Sequence, residues 1–102
     1  MTARFRVAPD SVQASLYAIS DFIDYVKANE PRTLQYTSVQ DFEDSLAFLN
    51  FFAFADEAAE EAHRNSLGTT RFVETLYPLL DGDIIFQRWN DVATTLDFPQ
   101  QE

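Results

Sequence analysis

An α+β fold with elements in the order β-α-β-β-α-β is what the sequence predicts, and three observations predict it. Four segments, 3–7, 33–39, 45–54 and 83–89, carry either strict alternation or the β-branched and aromatic richness of strands. Between them stand two stretches, 10–29 and 56–80, whose apolar residues recur every three or four positions, as on one face of a helix. The 102 residues include only 2 glycines and 4 prolines, too few for a disordered chain, and they make one domain with a core over about 3–93.

In "ARFRV" (3–7), Ala3, Phe5 and Val7 point one way while Arg4 and Arg6 point the other. "PDSVQ" starts a helix, with Asp10 as cap and Gln13 three residues on as in a capping box. Val12, Leu16, Ile19, Ile23 and Val26, widened by Phe22, form its apolar face, and Pro31 stops it by about residue 29. "TLQYTSV" (33–39) follows as a strand. "SLAFLNFFAF" (45–54) is apolar on both faces, and its aromatic richness together with a fresh helix start at Asp56 favours a strand over a helix. Leu46, Phe48, Asn50, Phe52 and Phe54 share one face; Ala47, Leu49, Phe51 and Ala53 share the other.

Asp56 caps the next helix, with Glu57, Glu60 and Glu61 near its positive end and His63 and Arg64 near its negative end. "SLGTT" interrupts it, and residues 70–80 form a further helix ending near "DGD", where Gly82 takes a left-handed conformation. "DIIFQRW" (83–89) is the last strand, and the tail from Thr94 is loose. This is the ferredoxin-like arrangement, a four-stranded antiparallel sheet with both helical segments on one face.

The formal net charge of −10 repels phosphate backbones and anionic lipid, so neither nucleic acid nor a membrane surface is an expected partner. With no cysteine, disulfides and thiolate chemistry are excluded. "MTARFRVAP" is no signal peptide, and "LAFLNFFAFA" is about half the length that spans a bilayer, so a cytoplasmic location is expected.

One feature predicts a homodimer. Helices cover one face of such a sheet, yet Leu49 and Phe51 stand on the other, and full burial of such side chains is worth about 1.5–3 kcal/mol each. Nothing in the remaining sequence covers them, so a second copy packed sheet to sheet is expected.

The order of elements, the "NEPRTLQY" stretch and above all "FADEAAEEAHRNSLGTTRFVETLYPLL" resemble the antibiotic biosynthesis monooxygenase family over about residues 3–90. The resemblance rests on Asp56, Glu57, Ala59, His63, Ser66 and Phe72, and on Pro31, Leu34 and Tyr36 at the second strand. It implies a dimeric α+β barrel and, among the family's known activities, cofactor-independent oxygenation of quinols or polyketide anthrones. The family's haem-degrading branch has an asparagine on the first strand and a tryptophan on the middle helix; here the first strand is "ARFRV" and the one tryptophan is Trp89, so no haem and no other cofactor is expected.

Candidate site residues follow from both lines. His63, the one histidine, has two readings: a general base, since histidine's ordinary pKa of about 6.5 suits removal of a phenolic proton, or a cation that closes a helix. Asn50, polar inside an apolar strand, either satisfies backbone groups or holds a substrate oxygen. Tyr36, Phe54, Phe72 and Trp89 either fill the core or wall a pocket for a flat ligand. Glu60 and His63 lie three residues apart on one helix face, but two ligands are too few for a metal, and none is expected. The expected function is a cofactor-independent monooxygenase on an aromatic quinol or polyphenol with O2 as co-substrate. The alternative is a non-catalytic dimeric domain that binds a hydrophobic small molecule or a protein partner.

Overall fold

A computed structural model describes residues 1–96. The elements are β1 (Thr2–Arg6), α1 (Val12–Asn29), β2 (Thr33–Gln40), β3 (Ala47–Phe54), α2 (Glu57–Arg64), α3 (Leu67–Leu76), a 3-10 turn at Tyr77–Leu79, and β4 (Ile85–Gln87). The strands form one antiparallel sheet in the order β2-β3-β1-β4, the ferredoxin-like order. None of the described helices is long and apolar enough to cross a membrane.

The alternation read in the sequence sets the two faces. Ala3, Phe5, Phe48, Asn50 and Phe52 are buried under the helices, and Phe51 on the opposite face is 40% exposed. The solid core lies at one end of this sandwich, where Phe5 stacks on Phe48 with ring centres 5.5 Å apart and Val7, Ile19 and Leu76 close around them. Towards Asn50, Phe52 and Phe54 the space between sheet and helices stays open.

Four local expectations change. The Asp10–Gln13 capping box does not form: Ser11 is the N-cap without a side-chain cap bond, and its hydroxyl donates to Asp10 Oδ1 at 3.3 Å. The buried face of α1 runs through Ser15, Ala18, Ile19, Phe22 and Val26, which leaves Leu16 36% exposed. Ser15 tolerates full burial because its hydroxyl donates to Ser11 O at 2.8 Å. The helical stretch does divide in two, but the break is at Asn65–Ser66 and the second helix starts at Leu67 rather than residue 70, since Ser66 Oγ accepts the Thr69 N–H at 3.1 Å as the cap of α3. The last strand is three residues long: Gln87 already faces Thr2, the first residue of β1, so Trp89 has no strand residue to pair with. Gly82 does take a positive φ, 95°, in the turn before β4. The tail expected to be loose from Thr94 falls largely outside the described residues.

The Asp56 cap forms as expected. Its carboxylate accepts the Ala59 N–H at 2.8 Å, and this bond, helped by the Arg32 guanidinium, holds the carboxyl below its usual range.

Gly68 in the first turn of α3 makes a close contact with α1. A Cβ there would stand 2.1 Å from Cδ1 of the Tyr25 ring. Alanine for glycine in a helix normally stabilises by about 1 kcal/mol. Here Gly68→Ala is expected to destabilise by about 1–3 kcal/mol through overpacking, lowering Tm by about 4–8 °C per kcal/mol. Thermal melts of Gly68→Ala and of the double variant with Tyr25→Ala check this: the second should recover most of the loss, and an unchanged or higher Tm for the single variant contradicts it.

Candidate active site

The open end between sheet and helices is a cavity of about 420 Å³, walled largely by aromatic side chains and lined also by Tyr36, Asn50 and His63. Three elements bring the polar groups together. In α2, Ala59 and His63 stand one helical turn apart and form the buried side of the helix, so the imidazole points at the sheet. Tyr36 on β2 and Phe52 on β3 are register partners, as are Ser38 and Asn50.

The imidazole sits among Phe22, Tyr36, Phe52 and Phe54, with ring centres 5.1 to 6.1 Å away. Phe22 in turn stacks on Phe72 at 4.3 Å. On the side away from the cavity, His63 Nδ1 lies 2.6 Å from Glu30 Oε1, and the two side chains are only 11% and 10% exposed. A carboxylate can only accept, so the proton of this bond is on Nδ1. Nε2 then carries the lone pair when the ring is neutral. It has no hydrogen bond to a described residue and is not a buried orphan, and the His63 side chain lines the cavity. Glu30 is itself held: it is the C-cap residue of α1, and Oε1 also accepts the Thr33 hydroxyl at 2.9 Å.

A second group of bonds runs across the sheet. The Ser38 hydroxyl donates to Asn50 Oδ1 at 2.6 Å, and Asn50 Nδ2 donates to the Tyr36 hydroxyl oxygen at 3.2 Å. Asn50 is 1% exposed and both ends of its amide are engaged, so it orients Tyr36. Burial pushes the Tyr36 phenol well above its ordinary pKa, against the opposing effect of the Asn50 bond. Tyr36 therefore stays a neutral O–H. No described acceptor takes its proton.

Of the residues singled out from sequence, His63, Asn50, Tyr36, Phe54 and Phe72 line this cavity; Trp89 does not. Trp89 is 59% exposed and its indole N–H donates at 2.9 Å to Thr2 Oγ1, on the opposite face of the sheet. The alternation of β4 explains this: Phe86, paired with Ala3, faces the cavity, whereas Ile85, Gln87 and then Trp89 have the opposite parity. Glu60 also lines the cavity, but its carboxylate is taken by Arg64, at 2.9 Å, and by Arg88. Among the described residues no group of three His, Asp or Glu side chains is placed to hold a metal ion.

The family model described as antibiotic biosynthesis monooxygenase matches residues 1–75, a span that holds Glu30, Tyr36, Asn50, His63 and Phe72. This chain belongs to the antibiotic biosynthesis monooxygenase family. A solved antibiotic biosynthesis monooxygenase structure matches it with a TM-score of 0.82 at 21% identity, over 90% of this chain and 96% of that one. A conserved protein from Methanosarcina mazei matches with a TM-score of 0.76 at 20% identity, over 82% of each chain. A Pseudomonas aeruginosa protein matches with a TM-score of 0.71 at 26% identity, over 86% of this chain and 91% of that one. No curated protein matches the chain in sequence. At such identities the structural likeness is one of fold.

Glu30, Ser38 and Phe22 were not singled out from sequence. Ser38 was within reach, since the alternation of β2 puts it on the Tyr36 face. Glu30 was not: it stands 33 positions before His63 in the sequence, and no local pattern links them.

Proposed function

We propose that this member of the family is a cofactor-independent monooxygenase that acts on an aromatic quinol or polyphenol, as a homodimer in the cytoplasm. The observation that carries the reading is the imidazole of His63, which lines an aromatic cavity while its Nδ1 is fixed by a buried carboxylate. His63 takes the phenolic proton at Nε2, and Glu30 stabilises the imidazolium that forms. The resulting phenolate is rich enough in electrons to reduce O2, which the neutral phenol does poorly. One oxygen atom enters the ring and the other leaves as water, and all four electrons come from the substrate, so the redox balance closes without a cofactor. The aromatic walls hold a flat ring and keep bulk water from the intermediate.

The test is oxygen uptake by chelator-treated protein over a panel of naphthalene quinols and anthrones, against a no-protein autoxidation control. Uptake well above control supports the reading. Ligand-induced stabilisation without turnover would replace it with a binding domain.

The dimer is part of the same proposal. Leu49, Phe51, Val39 and Ile85 stand on the uncovered sheet face, and a second copy is the cover this topology leaves room for. Wild-type protein should show a solution mass near twice the 11.7 kDa of one chain, and Phe51→Asp should shift it to one. A wild-type mass of one chain at all concentrations contradicts the dimer.

A further inference from the structure

The two residues after β4 reach opposite faces of the sheet. Phe86 lines the cavity, and Arg88, two positions on, carries its guanidinium to Glu60, the cavity-lining carboxylate of α2 that Arg64 also holds. Trp89 turns the other way and donates its indole N–H to Thr2 Oγ1 at 2.9 Å. Thr2 is the register partner of Phe51, on the face that the helices leave uncovered.

The Arg88 arm crosses the open end of the cavity. β2 and β4 are the two edges of the sheet, and α2 packs on β2 and β3. An ion pair from the end of β4 to α2 therefore runs from the far edge of the sheet to the helix that carries His63. Alone it is a weak strap, because the Arg88 side chain is 69% exposed and an exposed pair adds little. The neighbouring residue decides whether it holds. Trp89 is more than half exposed beside the Thr2–Phe51 pair, so whatever covers Phe51 covers the indole as well. Burying so large a ring fixes the backbone from which Arg88 extends.

We infer that Arg88 and Trp89 couple the uncovered sheet face to the cavity: a second copy packed on that face immobilises Trp89, which keeps Arg88 on Glu60 and slows the escape of a bound ring. This rests on the homodimer reading and adds to it a consequence for the cavity. In a single chain the strap opens and closes freely. In the dimer it stays closed. Arg88 and Trp89 are positioning residues in this scheme, acting through Glu60 and the second copy.

The experiment is the release of 2-naphthol, followed by stopped-flow fluorescence under nitrogen, with solution mass and tryptophan emission measured on the same samples. Trp89 is the one tryptophan, so its emission reports this position alone. Dimeric wild type should show blue-shifted emission and slow release. Phe51→Asp, at the mass of one chain, should show red-shifted emission and release about 5-fold faster, the most that one exposed ion pair supplies. Arg88→Met should keep the dimer and the blue-shifted emission yet also release about 5-fold faster. The double variant should again release about 5-fold faster rather than about 25-fold, because both changes undo the same strap. Thermal melts verify folding, and Ile85→Glu, on the same face as Phe51, is a second one-chain variant. Release from Arg88→Met at the wild-type rate, or effects that multiply in the double variant, would overturn the coupling and leave the dimer standing. A wild-type mass of one chain at all concentrations would remove the dimer reading, and the inference with it.

Discussion

Replacing His63 by alanine lowers oxygen uptake by about 10²–10⁴-fold, the range typical of a lost general base. The loss falls on kcat, because the aromatic walls that bind the ring remain. Substrate-induced stabilisation should therefore persist in the variant, which separates a missing base from a ruined cavity. The substitution removes the partner of a buried carboxylate, so some loss of stability accompanies it, although Glu30 keeps the Thr33 hydroxyl as a donor. Oxygen uptake within a few-fold of wild type in a folded His63→Ala protein would discard His63 as the base while leaving the enzyme.

Two substitutions of Glu30 divide its contribution. Glu30→Gln keeps an oxygen where Nδ1 and Thr33 donate and can set its amide N–H2 towards Ser66, so the imidazole tautomer survives and only the charge is lost. A hydrogen bond to a charged partner exceeds a neutral one by roughly 1 kcal/mol, so kcat should fall about 5-fold. Glu30→Ala removes both the charge and the acceptor. The neutral ring can then place its proton on Nε2, where it cannot act as a base, and kcat should fall about 100-fold or more. KM should change little in either variant, since Glu30 stands behind His63 rather than in the cavity. The graded order of wild type, Gln, Ala is the signature; a Glu30→Ala enzyme with wild-type kcat contradicts it.

The fold was legible because each element carried its own signal. Phe5 and Val7 alternating with Arg4 and Arg6, and Phe48, Phe52 and Phe54 alternating with Phe51, mark in the sequence itself the face of each strand that lies under the helices. Asn50 stood out as the one polar side chain among those aromatics. Its role was not legible, because the partners that use up its amide, Ser38 and Tyr36, depend on the β2–β3 register. Glu30 escaped for a stronger reason. A glutamate before proline at a helix end reads as a turn, and only the folding of α2 over the end of α1 turns it towards His63. Trp89 failed in the other direction: it lies at the parity of Ile85 and Gln87, so even a longer β4 would set it on the face away from the cavity that Phe86 lines.

The most direct test of the central claim is the ¹⁵N spectrum of the single histidine, which gives one pair of ring-nitrogen signals without any assignment problem. With the ring neutral, His63 should be in the Nδ1–H tautomer, held by Glu30, and its Nε2 signal should shift when a quinol is added under nitrogen. A neutral ring found in the Nε2–H tautomer, or Nε2 unmoved by a quinol that binds, would contradict the account, because the cavity would then face a donor rather than a base.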